Sequence, residues 1–489
     1  MVRFQRLAST ALGVALAMSA IAPIAAVHAQ TPITLKLASP DPTGRASEEP
    51  IRFFVDEVAR ASGGSITIEP VFEVSSDDPA LPFEQFAAKE LSDGHYQLGV
   101  IASRGWDQSG ITTPWALQAP FLIDNDALAI AVSTGDVATK VLDGMSGAGV
   151  TGLSLWPEDL RHPFAFVPFG KAFLSPEDFQ GTTIRAIPSH VGYELLKALG
   201  ATPMFKNGYG VDVIDGLIQG AESGLLQGAT LPADPTATAN VTFFPKFQVL
   251  AANSDAWAQL SDEQRSVLQA AAIATRDHAI AGRTSEAQAG VDWCTQANGR
   301  VVLASDDQVA AFQAAAAPIY AELEGDATVK TIIADIRDLK AQTPPSAPAA
   351  ACEPAPRPTP PTTIDTTAAQ PLPNGTYRAV ITEEDLLAAG VSAARAPDNA
   401  GTMFLIMEDS QITLHWDGDS PDNDCHFPYA VSDNVVRVDP SSCWDETSMD
   451  LQWTQGADGS LDLTVVAIDP SWLYADDAAW LDRTWERVE

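Results

Sequence analysis

A proline-rich segment from Thr343 to Pro373 divides the chain into two parts. It reads TPPSAPAAACEPAPRPTPPTTIDTTAAQPLP and contains almost no large apolar residues. Such a composition cannot form a core and favours an extended, semi-rigid spacer. The remainder of the 489 residues must therefore fold as separate units on the two sides of a linker at 343–373.

Before the linker, strand-like segments alternate with helix-like segments. Ile33–Ala38 alternates apolar and polar residues, and Gln97–Ala102 is a short apolar run of the kind found in buried parallel strands. A long helix is predicted to begin after Ser261, which can act as N-cap while Gln264 completes the capping box. This alternation predicts an α/β fold with a mostly parallel sheet, and residues 30–342 are numerous enough for two lobes.

After the linker, short alternating segments are separated by turns rich in Asp and Gly. These predicted strands are Gly375–Ile381, Gly401–Met407, Gln411–Trp416, Asn434–Val438, Met449–Trp453 and Ser460–Val465. The pattern predicts an all-β domain over 374–489, either a small barrel or a sandwich. Six of the eleven tryptophans fall in this domain, where core packing is more common than sugar stacking.

The first residues have the pattern of an export signal. Arg3 and Arg6 precede the apolar run Leu7–Ala22, and small residues end at Ala29, so we expect residues 1–29 to be removed. Because 1–29 carries two arginines and no acidic residue, the formal net charge of −36 becomes −38. We expect a soluble, periplasmic protein that inserts into no membrane and binds no nucleic acid, because so acidic a surface repels both nucleic acid and anionic lipid.

The four cysteines favour disulfides in an exported protein, although four cysteines allow three pairings. Cys425 and Cys443 flank one predicted hairpin region and form the preferred pair. Cys294 and Cys352 then pair by elimination, which would tie the start of the linker to the first unit. Neither spacing is that of a zinc site.

One arginine stands out in the stretch Phe179–Pro188. Arg185 ends a short apolar strand, just before a proline and a predicted helix. A guanidinium there can bind a carboxylate through two parallel charge-assisted hydrogen bonds, whereas an ion pair with Glu222 or Asp178 is the structural alternative. Because nucleophile, metal and phosphate-loop motifs are missing from the sequence, the pattern indicates capture and not catalysis.

Several segments, taken in order, resemble the DctP-type solute-binding proteins of TRAP transporters, over about residues 33–340. The segments that carry the resemblance are Phe54–Gly64, Gln97–Val100, Ala119–Leu122, Leu160–His162, Ile184–Pro188, Lys197–Pro203 and Trp257–Gln264. The resemblance implies two α/β lobes that are joined by a hinge and close on a small organic anion. It also implies delivery of that anion to membrane permease subunits.

The resemblance assigns the carboxylate contact to Arg185 and a second contact to Arg161, for which an ion pair with the preceding Glu158 and Asp159 is the alternative. It places Asn207 and Tyr209 among the pocket-lining residues. Where the family has Asp-Gly-Ala-Glu-Asn-Pro, this chain has Gln219–Gly224 around Glu222, so one wall of the pocket differs.

Other candidate contacts come from the residues themselves. Trp156 and Trp106 could offer an aromatic face to the ligand, with core packing as the alternative. Glu222 is expected to orient an arginine, since it would repel an anion. The acidic run Asp417–Asp424 lacks the spacing of an EF-hand, so a solvated loop is expected.

The sequence therefore predicts an extracytoplasmic solute-binding protein of a TRAP-type transporter that binds a carboxylate, with no metal and no cofactor. The alternative is a sensory or envelope-associated binding protein whose β-rich domain binds a surface polymer.

Overall fold

The fold is described by a computed structural model of the chain. The described residues are 32–76, 81, 83–206, 210–214, 216–228, 231, 235–296, 299–354, 370–389, 391, 396–417, 424–432, 434–438, 448–469 and 480–488. The predicted signal at 1–29, the candidate residues Asn207 and Tyr209, Cys443 and most of the acidic run Asp417–Asp424 lie outside these ranges.

The first part of the chain contains two three-stranded groups of parallel strands, and a parallel pair formed by its last strand. Its strands are β1 (Ile33–Ala38), β2 (Ile66–Val71), β3 (Leu98–Ala102), β4 (Val150–Ala165), β5 (Thr183–Arg185), β6 (Thr202–Met204), β7 (Gly220–Ser223), β8 (Thr236–Thr238), β9 (Phe244–Asn253) and β10 (Arg300–Val302). In the first group β1 lies between β2 and β3, and in the second β5 lies between β6 and β7. The predicted α/β architecture is confirmed.

Two long strands connect these groups and make the sheet mixed, not mostly parallel as predicted. β4 and β9 pair antiparallel from Val150 opposite Asn253 to Arg161 opposite Phe244. β9 also pairs with β3, whereas the last residues of β4 pair with β7 and β8. β4 and β9 therefore run from one half of the fold into the other. The register shifts between Pro157 and Asp159, which leaves Glu158 as the extra residue of a bulge.

Helices cover both faces of these strands. They are α1 (Glu48–Ala61), α2 (Phe83–Ser92), α3 (Asp126–Thr134), α4 (Asp136–Asp143), α5 (His190–Ala198), α6 (Gly210–Ile214), α7 (Leu225–Gly228), α8 (Ser254–Gln259), α9 (Asp262–Gly282), α10 (Glu286–Gln296), α11 (Asp306–Ala315), α12 (Ala317–Leu323) and α13 (Ala327–Gln342). The predicted capping box is present at the start of α9, where Ser261 accepts from Gln264 N and the Gln264 side chain accepts from Ser261 N. Within the described ranges, none of the helices has the length and apolar character that a membrane crossing requires.

The first third of the proline-rich segment is fixed to the first part of the chain. Cys352 forms the predicted disulfide with Cys294, with 6.2 Å between the Cα atoms, and pairs with Val301 through two backbone hydrogen bonds of 2.9 and 3.1 Å. Ala349 is buried in the apolar cluster of that region. The pairing that was reached by elimination is therefore confirmed, and the linker is anchored up to Cys352.

The second part of the chain is a closed barrel of antiparallel strands, which decides between the barrel and the sandwich that the sequence left open. Its elements are β11 (Gly375–Ile381), α14 (Glu383–Ala388), α15 (Ala396–Asn399), β12 (Gly401–Glu408), β13 (Gln411–Trp416), β14 (Cys425–Ser432), β15 (Val435–Val438), β16 (Ser448–Gln455), β17 (Leu461–Asp469) and β18 (Thr484–Arg487). Each strand pairs with the next along the chain, and β18 closes on β11. Trp453 and Tyr429 donate hydrogen bonds to the carbonyls of Gln370 and Leu372, so the end of the linker packs against the barrel.

Candidate functional site

Buried charged side chains gather where β1 and β3 end against the crossing strands β4 and β9. We call this group the buried charge cluster, and its members are Asp41, Glu84, Arg104, Glu158, Asp159, Arg161, Glu222 and Lys246. Asp41 and Arg104 follow β1 and β3, and the carboxyl ends of parallel strands meet at one edge of a sheet. Each member is less than 9% exposed, so charge–charge interactions here are only weakly screened by solvent.

One part of the cluster surrounds Lys246 on β9. The Lys246 ammonium lies 2.8 Å from Glu158 Oε1 and 3.4 Å from Asp41 Oδ2. Burial alone would raise the pKa of Asp41, but Lys246, the hydrogen bond from Ser47 and the charge of Arg104 together outweigh it, and the pKa of this carboxyl is lowered. Burial raises the pKa of Glu158 in spite of Lys246, and the neighbouring Asp41 and Asp159 carboxylates add to that rise. The environment of Glu158 therefore favours its neutral form more than water would.

The second part contains two arginines held by carboxylates. Arg104 donates from Nε and Nη2 to Glu84 at 2.8 and 3.0 Å, which is a bidentate pair. Arg161 donates from Nε to the Glu222 carboxylate and from Nη1 to Asp159 Oδ2 at 3.2 Å. Burial would raise the pKa of Glu222, but Arg161 and Arg104 lower it to about 2, so this carboxylate stays charged. Glu222 thus orients an arginine, as the sequence analysis expected.

Arg185 differs from these two arginines in its exposure. It ends β5 next to Ala221 of β7 and is half-buried, whereas Arg104 and Arg161 are each 4% exposed. Its guanidinium lies over the Phe205 ring, 5.7 Å from the ring centroid, and contributes to the low pKa of Glu222. Asp178, one predicted alternative partner, instead accepts hydrogen bonds from Lys171, Leu174 and Ser175. Arg185 therefore lies at the edge of the buried charge cluster, near Glu222.

Two further predicted ligand contacts, Arg161 and Trp156, are both buried. Arg161 lies inside the cluster, and three of its N–H donors are used by Glu222 and Asp159. Trp156 on β4 is 2% exposed and belongs to the apolar cluster that packs against α1 and α9, as does its neighbour Leu250 on β9. As ligand contacts, Arg161 and Trp156 remain predictions.

The segment that follows Arg185 is bound to the first half of the fold. Ser189 Oγ donates to Gln118 Oε1 at 2.6 Å, and His190 N donates to Asp107 Oδ2 at 2.5 Å. Asp107 Oδ1 also accepts from Trp115 Nε1 at 3.0 Å. Burial raises the pKa of Asp107 to about 6, although these hydrogen bonds oppose the rise. An acidic group that titrates near neutral pH therefore holds the N-terminus of α5.

Four members of the cluster were not predicted from the sequence: Asp41, Glu84, Arg104 and Lys246. A signal for Arg104 was available, because it follows the apolar strand β3 and the carboxyl ends of parallel strands form binding sites. Lys246 lies inside the mostly apolar strand β9, where a buried lysine requires a carboxylate partner. The partners themselves are distant in sequence and could not be assigned.

A possible metal-ligand group occurs elsewhere, with the ligand atoms of Glu90, Asp93 and His95 within 4.8 Å of one another. Asp93 is already paired with Lys89, and His95 Nδ1 lies 2.9 Å from Glu90 Oε2. Asp93 and His95 are exposed, and these pairs account for the group without an ion.

Part of the first unit matches a known protein family. The family model of the bacterial extracellular solute-binding proteins, family 7 (DctP), matches residues 41–206, a range that contains Arg104, Asp159, Arg161 and Arg185. Among curated proteins, none matches the chain in sequence.

Solved structures of TRAP periplasmic solute-binding proteins resemble the fold. The protein from Ochrobactrum anthropi, whose C-terminus is bound in the ligand-binding pocket, has 20% identity and a TM-score of 0.55 over 64% of this chain and 97% of its own. The protein from Bradyrhizobium, in complex with galacturonate, has 22% identity and a TM-score of 0.52 over 63% of this chain and all of its own. The protein from Ralstonia eutropha, with bound (S)-2-acetolactate, has 18% identity and a TM-score of 0.54 over 63% and 99%. The predicted resemblance and the two-lobed fold are therefore confirmed.

Proposed function

We propose that this chain, whose residues 41–206 match the DctP family of solute-binding proteins, captures a small carboxylate between its two halves and delivers it to a membrane permease of the TRAP type. The bound ligands of similar folds support a carboxylate, since the Bradyrhizobium protein holds galacturonate. In this proposal residues 1–29 direct export to the periplasm, 30–342 form the solute-binding unit, 343–373 the linker and 374–489 the β-rich domain.

The observation that carries the proposal is the position of Arg185. Two other arginines beside it, Arg104 and Arg161, are fully buried and paired with carboxylates of the protein, whereas Arg185 is half-buried at the edge of the cluster. A half-buried guanidinium that lies over the Phe205 ring at the end of a strand can bind a carboxylate through two charge-assisted hydrogen bonds. Glu222 then orients Arg161, which is proposed as a second contact to the ligand, and Asn207 and Tyr209 are proposed as pocket-lining residues.

The strand arrangement supports binding by closure. β4 and β9 are shared by both halves, and the bulge at Glu158 interrupts their pairing between the two strand groups. A change of twist at such a bulge would move one half relative to the other. The ligand would favour the closed form by contacting both halves at once, which shifts the population between open and closed states.

The test is ligand binding by Arg185→Ala and Arg185→Lys. Ligands that co-purify with the protein are identified by native mass spectrometry, and D-galacturonate, D-glucuronate and succinate are titrated by calorimetry. We expect Arg185→Ala to weaken binding at least about tenfold, because a bidentate charge-assisted pair contributes more than 1.4 kcal/mol. Arg185→Lys should recover only part of this, since an ammonium cannot form the parallel pair.

Arg60→Ala is the matched control, because the Arg60 side chain is exposed on α1 and pairs with Glu57 of the same helix. The affinity of Arg60→Ala for the ligand should equal that of the wild type. Without ligand, all variants should have the melting temperature of the wild type. Equal affinities of wild type and Arg185→Ala would refute the proposed contact.

A further inference from the structure

The chain segment that follows Arg185 is held by the first half of the fold at three consecutive residues, Pro188–His190. Each of them is hydrogen-bonded to a polar side chain of α2 or of the segment after β3. These hydrogen bonds are Gln85 Nε2 to Pro188 O, Ser189 Oγ to Gln118 Oε1 at 2.6 Å, and His190 N to Asp107 Oδ2 at 2.5 Å. We call these three contacts the α5 clamp, because His190 is the first residue of α5.

The α5 clamp is enclosed by packed side chains. Gln85, Gln118 and Ser189 are buried. Leu117 and Val191, which neighbour the clamp in sequence, belong to one apolar cluster. Loss of one hydrogen-bonding partner here leaves the other buried and unpaired, which is costly. The clamp is therefore a fixed point of the fold and not a surface contact.

Asp107 connects the clamp to an aromatic pair. Its Oδ1 atom accepts from Trp115 Nε1 at 3.0 Å, while Oδ2 accepts from the first amide of α5. The Trp115 ring stacks on the His190 ring, with 4.6 Å between the ring centroids. On its other side, His190 Nε2 lies 2.7 Å from Glu322 Oε1 of α12. Asp107, Trp115 and His190 thus form one connected unit, in which both oxygens of the Asp107 carboxylate are fixed.

Two residues, Ala186 and Ile187, separate Arg185 from the clamp. Arg185 itself is held in β5, between β6 and β7. Ala186 and Ile187 are buried, and the ring of Pro188 fixes its own φ angle. Three residues span at most about 11 Å, so the clamp lies close to Arg185 along the chain. A segment this short, fixed at both ends, leaves the backbone at Arg185 little freedom.

We propose that Asp107 is a positioning residue of the ligand site, which fixes the end of β5 through the α5 clamp and with it the guanidinium of Arg185. This inference rests on the proposed function, in which Arg185 binds the carboxylate. Two parallel hydrogen bonds to a carboxylate require a defined orientation of the guanidinium plane. An arginine that is already held in this orientation loses less conformational freedom on binding. Asp107 acts through the chain and not by contact with the ligand.

The first test needs no ligand. Arginines of the full chain are modified with phenylglyoxal, and the rate at each site is followed by peptide mass spectrometry. We expect Arg185 to react at least about threefold faster in Asp107→Ala than in the wild type, because release of the clamp lets this segment open locally. Asp107→Asn should return most of the wild-type rate, since its amide oxygen can still accept from His190 N. The exposed Arg60 is the internal reference and should react equally in all variants.

The second test is a double-mutant cycle on affinity, with D-galacturonate, D-glucuronate and succinate titrated by calorimetry. Asp107→Ala should weaken binding at least about fivefold when Arg185 is present, because the guanidinium must then be ordered on binding. In the Arg185→Lys background the same substitution should have little effect, since an ammonium forms no parallel pair that needs orientation. A purely structural role of Asp107 would lower the affinity by the same factor in both backgrounds.

A second clamp variant and a control separate positioning from loss of stability. Gln118→Ala removes the acceptor of Ser189 Oγ and should also make Arg185 more reactive. Ser261→Ala removes the side-chain cap of α9, so it destabilises the same part of the chain but should keep the wild-type affinity and the wild-type reactivity of Arg185. Circular dichroism and thermal unfolding establish that each variant is folded.

The outcomes separate this inference from the proposed function. Unchanged reactivity of Arg185 in both clamp variants, unchanged affinity of Asp107→Ala, or equal losses of affinity in the two backgrounds overturns the positioning role. If none of the three acids binds, the modification rates of the ligand-free protein decide. The proposed carboxylate contact fails if Arg185→Ala binds as tightly as the wild type, whatever the reactivity of Arg185 in the Asp107 variants.

Discussion

The two folded parts of this chain have opposite interiors. In the first part, charged groups such as Arg104, Arg161 and Lys246 are buried among carboxylates, and every buried charged side chain of the described residues lies before β10. In the barrel, the described core is apolar apart from tyrosine hydroxyls, and ion pairs such as Arg437–Asp450 lie at its surface. Buried charges are rarely the most stable solution for a core. Their retention in one part and not in the other fits the proposed binding of a polar ligand by the first part, whereas the described interior of the barrel is an apolar core.

The largest expected effect of a substitution is at Glu222, because this carboxylate compensates Arg161 and lies 3.6 Å from Arg104. Removal of one partner from a buried ion pair leaves an uncompensated charge and costs about 3–5 kcal/mol. We expect Glu222→Ala to lower the free energy of unfolding of the first part by an amount in this range. Urea denaturation followed by tryptophan fluorescence measures it.

The barrel supplies the control for this substitution. Glu486 pairs with Arg378 at 2.9 Å on the outer surface, and its side chain is 71% exposed. Glu486→Ala should leave the denaturation curve unchanged, since exposed pairs contribute little. Similar losses in Glu222→Ala and Glu486→Ala would mean that the two interiors do not differ in the way described.

A slightly smaller effect is expected in the barrel core. Leu451 on β16 is 1% exposed and lies opposite Val436 and Val465 of the neighbouring strands. Leu451→Ala removes apolar contacts and leaves a cavity, which costs about 2–5 kcal/mol. We expect calorimetry to show a lower melting temperature for the barrel transition, with ligand affinity unchanged.

Leu387 is the matched control in the same domain, because it lies on α14 with 47% of its side chain exposed. Leu387→Ala should leave the barrel transition in place. Loss of ligand binding in folded Leu451→Ala would contradict the separation of function between the two parts.

The barrel also shows how far the sequence predicts strands. Six strands were predicted from alternation, but β14 and β18 were missed. Pro428 interrupts the pattern of β14, although Phe427 and Tyr429 on either side of it face the core. β18 has four residues, of which only Trp485 is buried, so it is too short to show a period. Closure of the barrel pairs β18 with β11, more than 100 residues earlier in the chain, and local patterns carry no information about such a contact.

The same reason limits prediction of the site. Arg185 could be selected from its own surroundings, namely an apolar strand before it and a proline after it. The cluster could not, because its pairs join residues that are far apart: Arg161 and Glu222 are separated by 61 positions, and Lys246 and Asp41 by 205. Burial decides whether such a charge is solvated or paired, and burial is a property of the assembled fold. Family resemblance supplied the predicted role of Arg185 but no information on Arg104 or Lys246.

The smallest expected effect concerns pH and Asp107. Burial raises the pKa of Asp107 from its usual value of 3.8 to about 6, so the folded protein binds this proton more strongly than the unfolded chain. The Asp107 contribution to stability is therefore largest at low pH and is lost as the pH rises from about 4 through about 6. Asp107→Asn cannot titrate, and its amide oxygen can still accept from His190 N. We expect the difference in melting temperature, Asp107→Asn minus wild type, to increase steadily as the pH rises through this range.

Thermal unfolding of both proteins at several pH values from about 4 to about 7.5 measures this difference. Asp136→Asn is the control, because Asp136 is exposed on α4. Its melting temperature should change with pH in parallel with that of the wild type. A parallel profile for Asp107→Asn would show that Asp107 titrates normally. It would then follow that Asp107 holds the segment after Arg185 without the desolvation cost of a buried carboxylate, and that the two interiors differ through the buried ion pairs of the first part, such as those of the buried charge cluster.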